Sequence, residues 1–124
     1  MIKTIYRNRI ETLKKDYNKL YKSVEHKQSI IKEYLLLNDE VLKKIETITE
    51  NTNIEPNLKY IEIDKEMKYI ETILLKISDI QTEIANDYGK LNKEKGIIIN
   101  SCLEEYDDIT REKVLMEIDE LFKK

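Results

Sequence analysis

Glycine, proline, cysteine, alanine and tryptophan are nearly missing from this sequence. Its 124 residues include two Gly, one Pro, one Cys, one Ala (Ala85) and no Trp. Few breakers and few small residues argue against a compact, turn-rich globule and leave long helices as the alternative. A single cysteine, Cys102, excludes an internal disulfide framework and fits a reducing compartment. One cysteine and one histidine, His26, cannot build a zinc site of the usual kind, and the Glu-x-x-His pairs of di-iron bundles are missing. The longest apolar run is four residues, Tyr34–Leu37, far short of a membrane span. Met1 to Lys15 has no apolar segment of the kind that marks a secretory signal, and no Asn-x-Ser/Thr acceptor site occurs. These shortages together set the expectation of an intracellular, cytoplasmic protein or a component of a virion.

What is abundant is charge and periodicity. Charged residues make up 38% and apolar residues 40%, too much of the latter for a disordered tail. The net charge of −3 selects no partner, but the charge is unevenly spread. Residues 1–30 hold eight basic and three acidic groups, and residues 96–124 hold four basic and eight acidic groups. If the chain folds back, the two ends can neutralise one another. Ile, Lys, Asn and Tyr account for 56 residues, all with AT-rich codons, a bias that fits an AT-rich bacterium, a phage or a large virus.

The apolar residues recur at spacings of three and four. From Tyr6 to Ile48 one set runs Ile10, Tyr17, Val24, Ile31, Asn38, Ile45, and the other Tyr6, Leu13, Leu20, Lys27, Tyr34, Val41, Ile48. This is the pattern of a coiled-coil seam, and it predicts a first helix over about 2–49, roughly 70 Å long at 1.5 Å per residue. The segment from Glu50 to Pro56 is the clearest break, with Asn and Thr for a turn and Pro56 suited to a new first turn. A second seam follows: Tyr60, Ile63, Met67, Ile70, Leu74, Ile77, Gln81, Ile84, Tyr88, Leu91. It predicts a helix over about 56–95 or longer, since either Gly89 or Gly96 could end it or lie within it. Gly96–Ile99 also permits a short strand. Asp107, Asp108 or Thr110 can cap a last helix over about 108–122.

The expected fold is therefore all-α: a long antiparallel helical hairpin, coiled-coil-like, with a short C-terminal helix, forming a single elongated domain over 1–124. If Ile48 faces Tyr60, then Val41 faces Met67, and the two polar interruptions, Lys27 and Gln81, fall into one layer. Asn38 lands opposite Ile70 without a polar match, a device that fixes register at a cost in stability.

Chemistry-bearing residues are sparse. His26 falls off the seam toward solvent, and Ser23 and Glu25 do not form a triad with it on one helix face. Cys102 reads as a small buried residue. Glu104, Glu105, Asp107 and Asp108 lack the ligand spacing and central Gly of a calcium loop. Gly89-Lys90 has none of the remaining residues of a phosphate loop. No cofactor, metal ion, small-molecule substrate or enzymatic activity is expected. The expectation is a non-enzymatic interaction or scaffold protein, a subunit or accessory component of a larger assembly such as a phage or viral particle, with protein partners or self-association. Leu35, Leu36 and Leu37 widen the apolar surface beyond the seam, and Leu115, Ile118 and Phe122 lie on the apolar face of the last helix; these are the expected interface. Two alternatives stand beside it. One is a nucleic-acid accessory protein acting through phosphate contacts of Lys3, Arg7, Arg9, Lys14 and Lys15, with tyrosines for stacking. The other is a small helical inhibitor of a host protein.

Overall fold

The computed structural model describes residues 2–123. Three helices make up the fold: α1 (Thr4–Glu50), α2 (Pro56–Leu103) and α3 (Asp108–Lys123), with no strand among the described residues. The α1–α2 connection is built from the residues that the sequence supplies for it. The Asn51 side chain accepts a bond from the Asn53 amide at 2.9 Å, an Asx turn. Lys59 donates its ammonium to the Thr49 carbonyl at 3.1 Å and satisfies one of the orphaned acceptors at the end of α1. Pro56 opens α2, where its missing N–H costs nothing. The Lys59 amide closes the first turn on the Glu55 carbonyl at 3.0 Å.

α2 runs through Gly89, Gly96 and Ile97–Ile99 without interruption, so the strand alternative is not realised. Neither glycine has a positive φ. A Cβ at either would meet no atom within 4 Å, so nothing in the packing requires glycine there.

The helices pack as two units: Met1–Ser23 with Ala85–Lys124, and Val24–Ile84. In the second unit α1 and α2 run antiparallel. Lys44 pairs with Glu66 at 3.0 Å and Lys27 with Glu83 at 3.1 Å, so steps forward on one helix are steps back on the other. Val41, Ile70, Ile73 and Ile77 form the core, with Ile31, Tyr34, Leu37 and Ile45 packed against it.

On α1 this is the predicted seam with Leu37 added to it. On α2 only half of it is. Ile63, Ile70, Ile77 and Ile84 face inward as expected, but the interleaved set is Glu66, Ile73 and Ile80 rather than Met67, Leu74 and Gln81. Ile73 is 2% exposed and Leu74 50%. Tyr60, expected to face Ile48, is 75% exposed. The expected layer of Lys27 with Gln81 is therefore corrected: Gln81 is exposed, Ile80 turns inward, and Lys27 meets the Glu83 carboxylate. The physical preference is plain. Turning Gln81 inward would desolvate an amide, whereas Ile80 has no polar group to satisfy. The polar member of the chosen set, Glu66, has its charge met by Lys44.

The first unit has three helices. Ile2, Ile10, Leu13, Ile98, Cys102, Val114 and Ile118 form its core. Ile10, Val114 and Ile118 are wholly buried, each contributing roughly 1.5–3 kcal/mol by leaving water. Here α3 folds back over α1 and α2, and the apolar seam widens to take it. Asp107 caps α3, its carboxylate accepting the Thr110 amide at 2.8 Å. Arg111 donates to the Leu103 carbonyl at 3.0 Å and so caps the end of α2.

Candidate functional site

The leucine cluster expected to form an interface divides in the structure. Leu37 is half-buried against the core of the second unit and is covered within the chain. Leu36 is 66% exposed, and Leu35 is exposed to about the same degree as Leu42, Met67 and Leu74. These last four define a flank. Gln28 and Gln81 border one shallow cleft with Ile31, Lys32 and Ile84, on one side of the helix pair. Leu35 lies one heptad after Gln28, and Leu74 one heptad before Gln81, so they continue that side. Leu42 and Met67 continue it by a further heptad. Two long helices therefore present a half-exposed apolar stripe that neither can cover. Met67 and Leu74 were placed by sequence in the buried seam; a mere shift of one residue in the interleaved set brings them to the flank.

The opposite flank of the same pair is closed by charge. Lys44 reaches Glu66, Lys27 reaches Glu83, and the Lys76 ammonium sits 5.8 Å from the centre of the Tyr34 ring.

The C-terminal residues expected at an interface are differently placed. Ile118 is wholly buried in the first unit, so its expected role as an exposed contact is corrected. Phe122 is half-buried beneath the Lys95 ammonium at 4.5 Å, and Leu115 is exposed.

The basic N-terminal arm is largely matched within the chain. Lys3 pairs with Glu105 at 3.0 Å and Arg7 with Glu117 at 2.9 Å. The Glu105 carboxylate raises the Lys3 pKa, first by its hydrogen bond and then by its charge. Lys14 lies 3.8 Å from Glu11, while Arg9 and Lys15 are exposed. Sequence reasoning missed a cleft in this unit that gathers Lys14, Lys95 and Lys123 beside Tyr17, Tyr21 and Tyr88, with no carboxylate in its lining. Tyr17 donates to the Asn92 side chain at 2.6 Å, and burial raises its pKa. Tyr21 contacts the Tyr17 and Tyr88 rings at 6.3 and 6.1 Å. Only the folding of three helices together brings these lysines to one place.

His26 is exposed. The Cys102 thiol is buried, and burial, followed by the charges of Glu105 and Glu117, pushes its pKa up, which favours the neutral form over a nucleophilic thiolate. Among the described residues no three His, Cys, Asp or Glu side chains gather to hold a metal ion. Among the described residues no helix is long and apolar enough to cross a membrane. No protein-family model, curated protein or solved structure matches the chain.

Proposed function

We propose that this chain is a non-enzymatic helical interaction protein, a scaffold or accessory component of a larger assembly, which acts by docking a partner on the second unit. The observation that carries this reading is the flank of Leu35, Leu42, Met67 and Leu74. An apolar stripe on a helix pair is stabilised by a further helix, and in the first unit α3 provides one. The second unit is built from α1 and α2 alone. Its half-exposed leucines are therefore more apolar surface than two helices need for their own contact. An intracellular site of action, with Cys102 reduced, belongs to the same reading. An inhibitor that covers a host protein is a special case of it, distinguished by the identity of the partner.

The test is Leu35→Ser with Leu74→Ser in the full chain. Helicity by circular dichroism should be retained, while co-purification of a stoichiometric partner from the native source is lost. Retention of the partner by a folded variant would contradict the reading.

A second reading, contact with nucleic acid, has one observation in its favour: the cleft of Lys14, Lys95 and Lys123 with its tyrosines. It requires that a single-stranded oligonucleotide bind at low salt and that binding fall steeply with added salt and with Lys14→Gln plus Lys95→Gln.

A further inference from the structure

We propose that the flank of the second unit takes a basic amphipathic helix of another protein. This rests on the interaction reading above and adds the chemistry of the partner.

The first support is the charge around the apolar stripe. Residues 24–84 hold eight Lys and thirteen Asp or Glu, a net of −5 with His26 neutral. Five of these acids lie beside the stripe. Asp39 lies four residues after Leu35 and three before Leu42, and Glu71 lies between Met67 and Leu74 at the same spacings, so both share the face of the leucines. Glu25, Glu46 and Asp64 take the equivalent places one or two heptads away, and Lys32 is the one cation among these positions. Among the described residues no ion pair engages Glu25, Asp39, Glu46 or Glu71, while the cross-helix pairs from Lys27 and Lys44 close the other flank.

The second support is the rule by which the first unit is completed. Its N-terminal segment, residues 1–23 of the sequence, has seven basic and two acidic groups. The segment that folds back over it, residues 104–123, has eight acidic and three basic groups. Lys3–Glu105 and Arg7–Glu117 join the two. Arg7 occupies the same heptad position as Leu35, four heptads earlier. A basic helix pair there receives an acidic third helix. An acidic helix pair with the equivalent flank exposed is complementary to a basic one. A second copy of the chain would instead bring two units of net −5 together, with like charges across the contact.

The test uses the full chain and three fluorescent synthetic peptides of about eighteen residues, five helical turns. One has leucines at three–four spacing rimmed by Lys, one has the same leucines rimmed by Glu, and one is a scramble of the Lys peptide. The Lys-rimmed helix should bind at least ten-fold more tightly than the other two. Its binding should fall at least ten-fold with Leu35→Ser plus Leu74→Ser, and should not change with Met116→Ser on the first unit. Should the double serine variant not fold, Asp39→Lys plus Glu71→Lys provides the second arm and should switch the preference to the Glu-rimmed peptide. Equal binding of the Lys peptide and its scramble overturns the proposal, as does binding that ignores both pairs of substitutions. A concentration-dependent dimer abolished by the serine pair, without peptide preference, overturns the partner chemistry and leaves the interaction reading standing. A chain that stays monomeric and binds none of the peptides overturns the partner chemistry, and the partner lost or kept in the serine variant then decides the broader reading.

Discussion

Asn38 occupies an inward position of α1, and its side-chain oxygen is buried without a hydrogen-bond partner. An unsatisfied buried acceptor costs on the order of 1–3 kcal/mol, which an apolar side chain of similar size does not. Asn38→Leu is accordingly expected to raise stability by about 1–2 kcal/mol in urea denaturation, and an unchanged or lower midpoint would show that the amide is satisfied in solution. The opposite case is Asp107, whose carboxylate is hydrogen-bonded. Its bonds from the Thr110 hydroxyl and then the Thr110 amide hold its pKa below the ordinary carboxylate value. A lowered folded-state pKa means that the unfolded chain takes up the proton first as pH falls. The stabilisation is thus complete above the ordinary carboxylate range and is lost as pH drops through the lowered value. Comparing melting of the native chain with Asp107→Asn at pH 7 and near pH 3 should show a difference that shrinks on acidification; a difference independent of pH would remove this account of the cap.

At the scale of the elements, the seam of α1 was legible. One register puts an apolar residue at nearly every three–four step, broken at Lys27 and Asn38, and Leu37, just off that register, also packs on the core. α2 was legible in one set of positions and misread in the other. From Ile70 to Ile80 isoleucines and leucines lie nearly all around the helix, and two interleaved sets fit the same spacing. The two sets hold two apolar members and one polar member each, and Met67, Leu74 and Gln81 lost to Glu66, Ile73 and Ile80, whose polar member is met by Lys44 while Gln81 stays in water. Such a choice depends on the partner helix, which no local window contains. The candidate site inherited the error: the flank became visible only once Met67 and Leu74 left the seam, and the lysine cleft needed three helices to assemble. The glycines give a test that is independent of register. Both lie in ordinary helix with open space where a Cβ would stand. Gly89→Ala and Gly96→Ala should each stabilise the chain by about 0.5–1 kcal/mol in thermal or urea melts. A loss at either site would mean that the helix is interrupted there.

For the whole molecule, the contrast between the two units carries the functional argument. One unit has three helices and ion pairs that join its oppositely charged ends. The other has two helices, a surplus of acid and a half-exposed apolar stripe. If that stripe is an interface, its leucines contribute little to the folding of the chain alone, and the inward isoleucine beside them contributes much. The most direct measurement is urea unfolding of the isolated chain carrying either Leu35→Ser plus Leu74→Ser or Ile73→Ala. The serine pair is predicted to cost under about 1.5 kcal/mol in total, against about 2–5 kcal/mol for Ile73→Ala. A serine pair as costly as Ile73→Ala would place Leu35 and Leu74 in the core of the chain and contradict the docking surface.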